Sequence, residues 1–125
     1  MSSAILVVDD NEANLKLAQQ ALALWGYEVA VAALGEAAVE MARTHRPALI
    51  LLDMGLPDID GLEVLRRLRS MPETKDLPVV AMTAQAMVGD RERFLAAGCD
   101  GYIEKPISLR SFRAEVERHL AARGA

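Results

Sequence analysis

The 125-residue sequence has little of several things on which whole classes of protein depend. Its one cysteine, Cys99, has no partner for an internal disulfide and no companions for a zinc cluster. Aromatic residues make up 4% of the chain, too few for a platform on which nucleic-acid bases stack. The formal net charge of −4 argues against the broad basic surface of a nucleic-acid-binding protein. We therefore expect no nucleic-acid partner.

Long hydrophobic runs are also missing. No apolar run approaches the roughly 20 residues that span a bilayer. The first run, Ala4–Val8, is too short for a signal peptide and leads straight into Asp9 and Asp10. The sequence thus predicts a cytoplasmic protein with no membrane partner.

The length of the chain fits a single domain over residues 1–125, with a core from about residue 4 to residue 121.

Five short apolar runs predict strands, because runs of this length rich in aliphatic residues are typical of a buried sheet. They are Ala4–Val8, Tyr27–Ala32, Ala48–Leu52, Pro78–Met82 and Gly101–Ile103. The first, third and fourth runs are apolar on consecutive residues, which favours a parallel sheet covered on both faces. Each interval has room for one helix. The sequence therefore predicts an α/β fold, with a doubly wound five-stranded parallel sheet and five helices.

The third and fourth helices carry the most specific signals. Asp60 and Glu63 have the D-x-x-E spacing of a capping box, which predicts the start of the third helix. The string DIDG at residues 58–61 resembles part of a calcium loop, but leucines occupy ligand positions there, so capping is the favoured interpretation. The fourth helix is expected to begin between Gln85 and Asp90, and to bury Phe94 and Leu95.

Candidate functional residues follow the strands, because ligands of an open α/β sheet bind beyond the carboxyl ends of its strands. Three carboxylates, one hydroxyl and one ammonium group lie at such positions: Asp9, Asp10, Asp53, Thr83 and Lys105. Crowded carboxylates raise one another's pKa unless positive charge intervenes, and Lys105 with a divalent cation such as Mg²⁺ would supply it. This set suits phosphoryl transfer, with one aspartate as the nucleophile. Alone, either aspartate after the first strand could instead cap the next helix.

Four segments resemble the receiver domain of two-component response regulators. They are VVDDNEAN (Val7–Asn14), LLDMGLPDIDG (Leu51–Gly61), VVAMTA (Val79–Ala84) and YIEKPI (Tyr102–Ile107). The similarity covers nearly the whole chain, and within the family it points to single-domain regulators of the DivK type that control cell division. It implies the flavodoxin-like receiver fold, with strand order 2-1-3-4-5.

The resemblance also implies an acceptor and a metal site. Asp53 is similar to the aspartate that accepts the phosphoryl group. Asp10, Asp53 and the backbone carbonyl of Gly55 are similar to the ligands of Mg²⁺, and Asp9 would reach the metal through water.

Further positions are implied by the same segments. Lys105 is similar to the lysine that pairs with the phosphoryl group, and Ala84, which follows Thr83, is another of the phosphate-binding positions. Thr83 and Tyr102 are similar to the pair of residues that switch on phosphorylation. Structural roles are implied for Pro57, Gly61 and Pro106, the last of these with a cis peptide bond to Lys105.

The implied function is a signalling switch that accepts a phosphoryl group from a sensor histidine kinase or a histidine phosphotransfer protein. No enzymatic activity is expected beyond Mg²⁺-dependent self-phosphorylation and self-dephosphorylation. Because the chain ends soon after the fifth helix, we expect output by protein–protein binding. The expected surface is the face formed by helix 4, strand 5 and helix 5, on a monomeric protein.

Three alternatives belong to other classes of protein. A flavodoxin-like protein would bind FMN at the same sheet edge, but the carboxylates of the DDNEAN loop would repel its phosphate without a metal. A small phosphatase with an aspartate nucleophile normally carries a cap domain, for which the chain has no room. The third alternative is a receiver domain excised from a hybrid kinase, which the sequence does not exclude.

Overall fold

Strands and helices alternate along the chain, as the sequence predicts, in a computed structural model that describes residues 4–83, 89–105 and 108–124. The strands are β1 (Ile5–Val8), β2 (Val29–Ala32), β3 (Leu49–Asp53), β4 (Val79–Thr83) and β5 (Gly101–Glu104). The helices are α1 (Glu12–Leu24), α2 (Gly35–His45), α3 (Gly61–Ser70), α4 (Asp90–Ala96) and α5 (Leu109–Gly124). None of the helices in these ranges is long and apolar enough to cross a membrane.

The five strands form one parallel sheet in the order β2-β1-β3-β4-β5, which confirms the predicted topology. Residues of α1 and α5 pack on one face of the sheet, and residues of α2, α3 and α4 pack on the other. The chain moves outward from β1 to β2 and then returns past β1 to β3. Strand order therefore reverses between β1 and β3, which is the point where doubly wound sheets bind ligands.

Burial on both faces of the sheet explains why the central strands β1 and β3 have apolar residues at consecutive positions. All four residues of β1 and all five residues of β3 are buried. Leu6 and Val8 join the core under α2, α3 and α4, whereas Ile5 and Val7 join the core under α1 and α5. Each such aliphatic side chain contributes about 1.5–3 kcal/mol when it is fully buried. The helix layers on both faces therefore fix the position of β1 and β3.

Helix α4 differs from its prediction at one position. It begins at Asp90, the last residue of the predicted range, and residues 84–88 lie outside the described residues. Phe94 is buried as predicted, but Leu95 is 38% exposed, so its predicted burial is wrong. Successive residues of a helix point about 100° apart. The face that buries Phe94 on the sheet therefore turns Leu95 toward solvent.

The start of α3 forms half of the predicted capping box. The side chain of Asp60 accepts a hydrogen bond from the backbone N–H of Glu63 at 2.9 Å, so the predicted cap is present. The carboxylate of Glu63 instead pairs with Arg66 and Arg67, at 2.6 and 2.9 Å. These two guanidinium groups lower the pKa of Glu63 to about 2. The Glu63 side chain therefore forms ion pairs on the surface of α3 instead of capping the amino terminus of the helix.

Helix α2 takes its amino-terminal cap from a distant loop. Its own N-cap residue, Leu34, makes no side-chain hydrogen bond there. The carboxylate of Asp58, in the loop between β3 and α3, accepts the N–H groups of Gly35 and Glu36 at 2.8 and 2.9 Å. These two hydrogen bonds lower the pKa of Asp58 to about 2. The loop that follows β3 is thereby attached to α2.

Replacement of Asp58 by alanine is expected to lower Tm by several degrees, because two N–H groups of α2 lose their acceptor. Asp76→Ala is the control, since Asp76 is exposed and shows no hydrogen bond among the described residues. Thermal unfolding followed by circular dichroism measures both variants. Equal Tm values for the two variants would contradict the capping role.

The same cap gives a pH dependence with a definite sign. The pKa of Asp58 falls from its ordinary 3.8 to about 2 in the folded protein. A carboxyl group of this kind stabilises the fold above its unfolded pKa, and that stability is lost as pH falls through the folded pKa. The advantage of the wild type over Asp58→Ala in urea unfolding should therefore be constant near neutral pH and shrink below 3.8. A difference that does not change with pH would be inconsistent with a charged cap.

Candidate functional site

Three aspartates meet at the carboxyl ends of β1 and β3. Val8 and Leu52 are register partners in these two strands, so the residues that follow them, Asp9 and Asp53, lie side by side. Both are buried, with 1% and 6% of their surface exposed, whereas Asp10 is exposed. Asp9, Asp10 and Asp53 each offer a carboxylate oxygen within 4.8 Å of the others. The convergence predicted for these aspartates is therefore present.

Lys105 brings positive charge to the two buried aspartates. Its Nζ lies 2.7 Å from Asp9 Oδ2 and 3.4 Å from Asp53 Oδ2, and its side chain is only 11% exposed. Lys105 follows β5, at the far edge of the sheet, and its backbone N–H donates to the carbonyl of Thr83 at 2.7 Å. This backbone bond ties the end of β5 to β4, so that the lysine side chain can extend past β4 to the carboxylates.

Burial raises the pKa of Asp53 above its ordinary value. The N–H of Gly55, which donates to Asp53 Oδ1 at 3.1 Å, and the charge of Lys105 act in the opposite direction. The neighbouring carboxylate of Asp9 raises the pKa of Asp53 further. An ionised carboxylate is what nucleophilic attack requires, so the positive charge around Asp53 favours its reactive form.

The carboxylate of Asp9 has both oxygens engaged. Oδ2 pairs with Lys105, and Oδ1 accepts the backbone N–H of Asn11 at 2.9 Å. Asn11 itself caps α1, because its side chain accepts the N–H of Asn14 at 3.0 Å. The helix cap at this position is therefore an asparagine, and capping does not account for Asp9 or Asp10.

An open cavity of about 610 Å³ lies over the cluster. Thr83, buried at the end of β4, lines it together with the aspartates and Lys105, as predicted. The cavity is also lined by Asp90, Arg93 and Phe94 of α4, three residues that the sequence motifs do not predict to lie at the site. No local signal in the sequence marks these residues, because the packing of α4 against the sheet decides which of its side chains reach the cavity.

The loop after Asp53 approaches α3 closely. An added Cβ at Gly61 would lie 2.6 Å from both Cα and Sδ of Met54, so the first residue of α3 must be glycine for this approach. The Gly61 N–H also donates to the carbonyl of Met54 at 3.1 Å. Pro57 is exposed in the same loop. Close packing against Met54 thus explains why glycine is needed at position 61, which the sequence alone does not show.

Tyr102 lies apart from the carboxylates, on β5. Its half-buried ring packs against Phe94, with ring centroids 5.9 Å apart, and Phe94 lines the cavity on α4. Phe94 therefore connects the cavity with Tyr102. The predicted roles of Ala84 and Pro106, and the cis bond at Pro106, lie outside the described residues.

The donor set of the cluster fits a divalent metal ion. Carboxylate oxygens are the ligands that hard cations such as Mg²⁺ and Ca²⁺ prefer, and three of them converge here. Asp10 is exposed, and Asp53 has only a long contact of 3.4 Å to Lys105, whereas Asp9 pairs with Lys105 at 2.7 Å. The cluster can therefore bind a metal ion at the carboxyl ends of β1 and β3.

Comparison with known proteins agrees with this geometry. The model of the response regulator receiver domain family matches residues 5–117. The polar-differentiation response regulator DivK of Brucella anthropi is 42% identical over 120 residues, which cover 96% of this chain and 98% of DivK.

Solved structures of the same family superpose closely. A CheY-like receiver domain protein from Methanospirillum hungatei gives a TM-score of 0.91 at 29% identity, covering 99% of this chain and 98% of that one. The receiver domain of a sensor histidine kinase from Pseudomonas aeruginosa gives 0.88 at 34% identity, with 97% and 99% covered. That structure is described with a magnesium ion coordinated in its active site cleft. The chain therefore belongs to the response regulator receiver domain family.

Proposed function

We propose that this protein is a signalling switch that accepts a phosphoryl group on Asp53 from a sensor histidine kinase or a histidine phosphotransfer protein. The observation that carries the proposal is the position of Asp53, beside Lys105 at 3.4 Å and within 4.8 Å of two further carboxylates, under an open cavity. A nucleophile, a cation and metal ligands in one accessible place are what phosphoryl transfer requires.

The metal proposed for this site is Mg²⁺. Asp10, Asp53 and the backbone carbonyl of Gly55 would bind it directly, and Asp9, which pairs with Lys105 at 2.7 Å, would bind it through water. When bound, the ion supplies positive charge that offsets the negative charge of phosphoryl oxygens. The magnesium described in the Pseudomonas aeruginosa receiver domain supports this choice.

The chain's own residues perform the transfer. A carboxylate oxygen of Asp53 forms a bond to phosphorus while the donor's phosphorus–nitrogen or phosphorus–oxygen bond breaks. The bonding electrons leave with the imidazole of a phosphohistidine or with the acetate released from acetyl phosphate. Lys105 then pairs with a phosphoryl oxygen in place of its weaker contact to Asp53. Attack of water on phosphorus releases inorganic phosphate and regenerates the Asp53 carboxylate, so both reactions take place on the protein itself.

The readout of phosphorylation is proposed to pass through Thr83 and Tyr102. Thr83 ends β4, the strand next to β3, and its hydroxyl can turn toward a phosphoryl oxygen on Asp53. The turn opens space beside β5, into which the half-buried ring of Tyr102 can move. The face formed by α4, β5 and α5 then changes shape. A surface cavity on that face, lined by Tyr102, Ser108 and Glu115, offers a downstream protein a place to bind.

The biological setting is proposed from the relatives. The DivK proteins are named for polar differentiation, and 42% identity over nearly all of this chain supports a role in cell polarity and division. We place this activity in the cytoplasm and assign it to a monomer whose output is protein binding.

Incubation with acetyl phosphate and Mg²⁺ should add one phosphoryl group to the wild type and none to Asp53→Asn. Asparagine keeps the shape of the side chain and an acceptor for the Gly55 N–H, but it is no nucleophile. Intact-mass spectrometry with and without Mg²⁺ measures the reaction, with Asp76→Asn as the control. Full labelling of Asp53→Asn would show that the acceptor is another residue.

The variant Asp10→Ala should weaken Mg²⁺ binding by at least about tenfold, because loss of an outer-shell partner alone costs metal sites roughly that much. Titration calorimetry on the unphosphorylated protein measures the affinity. Asp60→Ala is the control, since Asp60 lines the same cavity but caps α3. Unchanged affinity in Asp10→Ala would remove Asp10 from the metal site.

Phosphorylation should change the environment of Tyr102 in the wild type and not in Thr83→Ala. The chain has two tyrosines, so protein labelled with 3-fluorotyrosine gives two ¹⁹F signals, which Tyr27→Phe assigns. Both proteins should still be phosphorylated, because Thr83 is not the nucleophile. Equal shifts of the Tyr102 signal in the two proteins would rule out coupling through Thr83.

A further inference from the structure

The cavity over Asp53 is strongly acidic. Among the described residues that line it are five aspartates, at positions 9, 10, 53, 60 and 90, against two cations, Lys105 and Arg93. A phosphoryl donor such as acetyl phosphate is itself an anion, so it approaches this cavity against like charge. A group other than the acceptor Asp53 is therefore needed to attract an anion into the cavity.

Lys105 is poorly placed to meet an incoming donor. Its Nζ already pairs with Asp9 at 2.7 Å and with Asp53 at 3.4 Å, and its side chain is 11% exposed. The lysine therefore lies at the floor of the site, where it neutralises the carboxylates. Its charge becomes available to the phosphoryl group only when that group has reached Asp53.

Arg93 has the opposite placement. It lines the same cavity from α4, and its side chain is 61% exposed. Asp90, one turn earlier, holds the guanidinium at 3.3 Å, and the ring of Phe94 lies beneath it, 5.2 Å from the guanidinium carbon to the ring centroid. Asp90, whose side chain is only 15% exposed, contacts one nitrogen of the guanidinium group, so the exposed Arg93 has further N–H donors with which it can bind a second anion.

We propose that Arg93 binds the phosphoryl oxygens of the donor at the mouth of the cavity before transfer to Asp53. A guanidinium group donates two parallel hydrogen bonds to a phosphate and keeps its charge at every physiological pH. The bonds that form and break in the transfer are those already described. By binding the donor, Arg93 raises the local concentration of donor near Asp53. This role rests on the proposed phosphorylation of Asp53.

The test measures the rate of Asp53 phosphorylation over a range of acetyl phosphate concentrations, at fixed Mg²⁺, by intact mass. Arg93→Ala should lower the second-order rate constant about tenfold, the effect of losing one modest charge-assisted contact. Arg93→Lys keeps the charge but loses the planar guanidinium group, so its rate constant should lie between those of the wild type and Arg93→Ala. Arg91→Ala is the matched control, because Arg91 is an exposed arginine of the same helix and is not among the cavity residues.

Ionic strength separates this role from a structural one. Added salt should narrow the difference in rate constant between the wild type and Arg93→Ala, since salt screens the attraction between the guanidinium and the donor. Equal second-order rate constants, or the same salt dependence in both proteins, would overturn the role of Arg93 while leaving phosphorylation of Asp53 intact. An unphosphorylated wild type would overturn the proposed function and this role together.

Discussion

The contact of Lys105 with Asp9 and Asp53 is the interaction on which the site depends. The parallel register of β1 and β3 places two buried carboxylates side by side, and like charges in such a position oppose each other. One lysine within 2.7 and 3.4 Å of them offsets this repulsion. Removing one partner of a buried ion pair typically costs about 3–5 kcal/mol. The functional cluster and the stability of the sheet edge are therefore linked.

The loop after β3 is held firmly next to Asp53. Asp58 attaches it to the amino terminus of α2, and the close approach of Gly61 to Met54 presses α3 against it. The N–H of Gly55 within the loop donates to Asp53. Loops that carry function are commonly positioned by a rigid scaffold in this way. The carboxylate of Asp53 is consequently oriented before any ligand arrives.

Helix α4 is attached more lightly than α3. It has seven residues and buries one of them, Phe94, whereas α3 buries four of its ten. Segments with few buried apolar contacts open at a lower free energy than the core does. The same helix presents Arg93 to the cavity and Phe94 to Tyr102. A change of charge at Asp53 therefore meets, in α4, an element that is held less firmly than α3.

The sequence by itself determined the five strands, the alternation of strands and helices, and the residues that follow the strands, because runs of buried aliphatic residues and their spacing are local properties. It also placed Asp9, Asp53, Thr83 and Lys105 at one edge of the sheet. Only the tertiary structure decided that Asp58 caps a helix 22 residues earlier, that Leu95 faces solvent and that Arg93 lines the cavity. These features depend on how separate elements pack together, and packing across the fold leaves no signal in the local sequence.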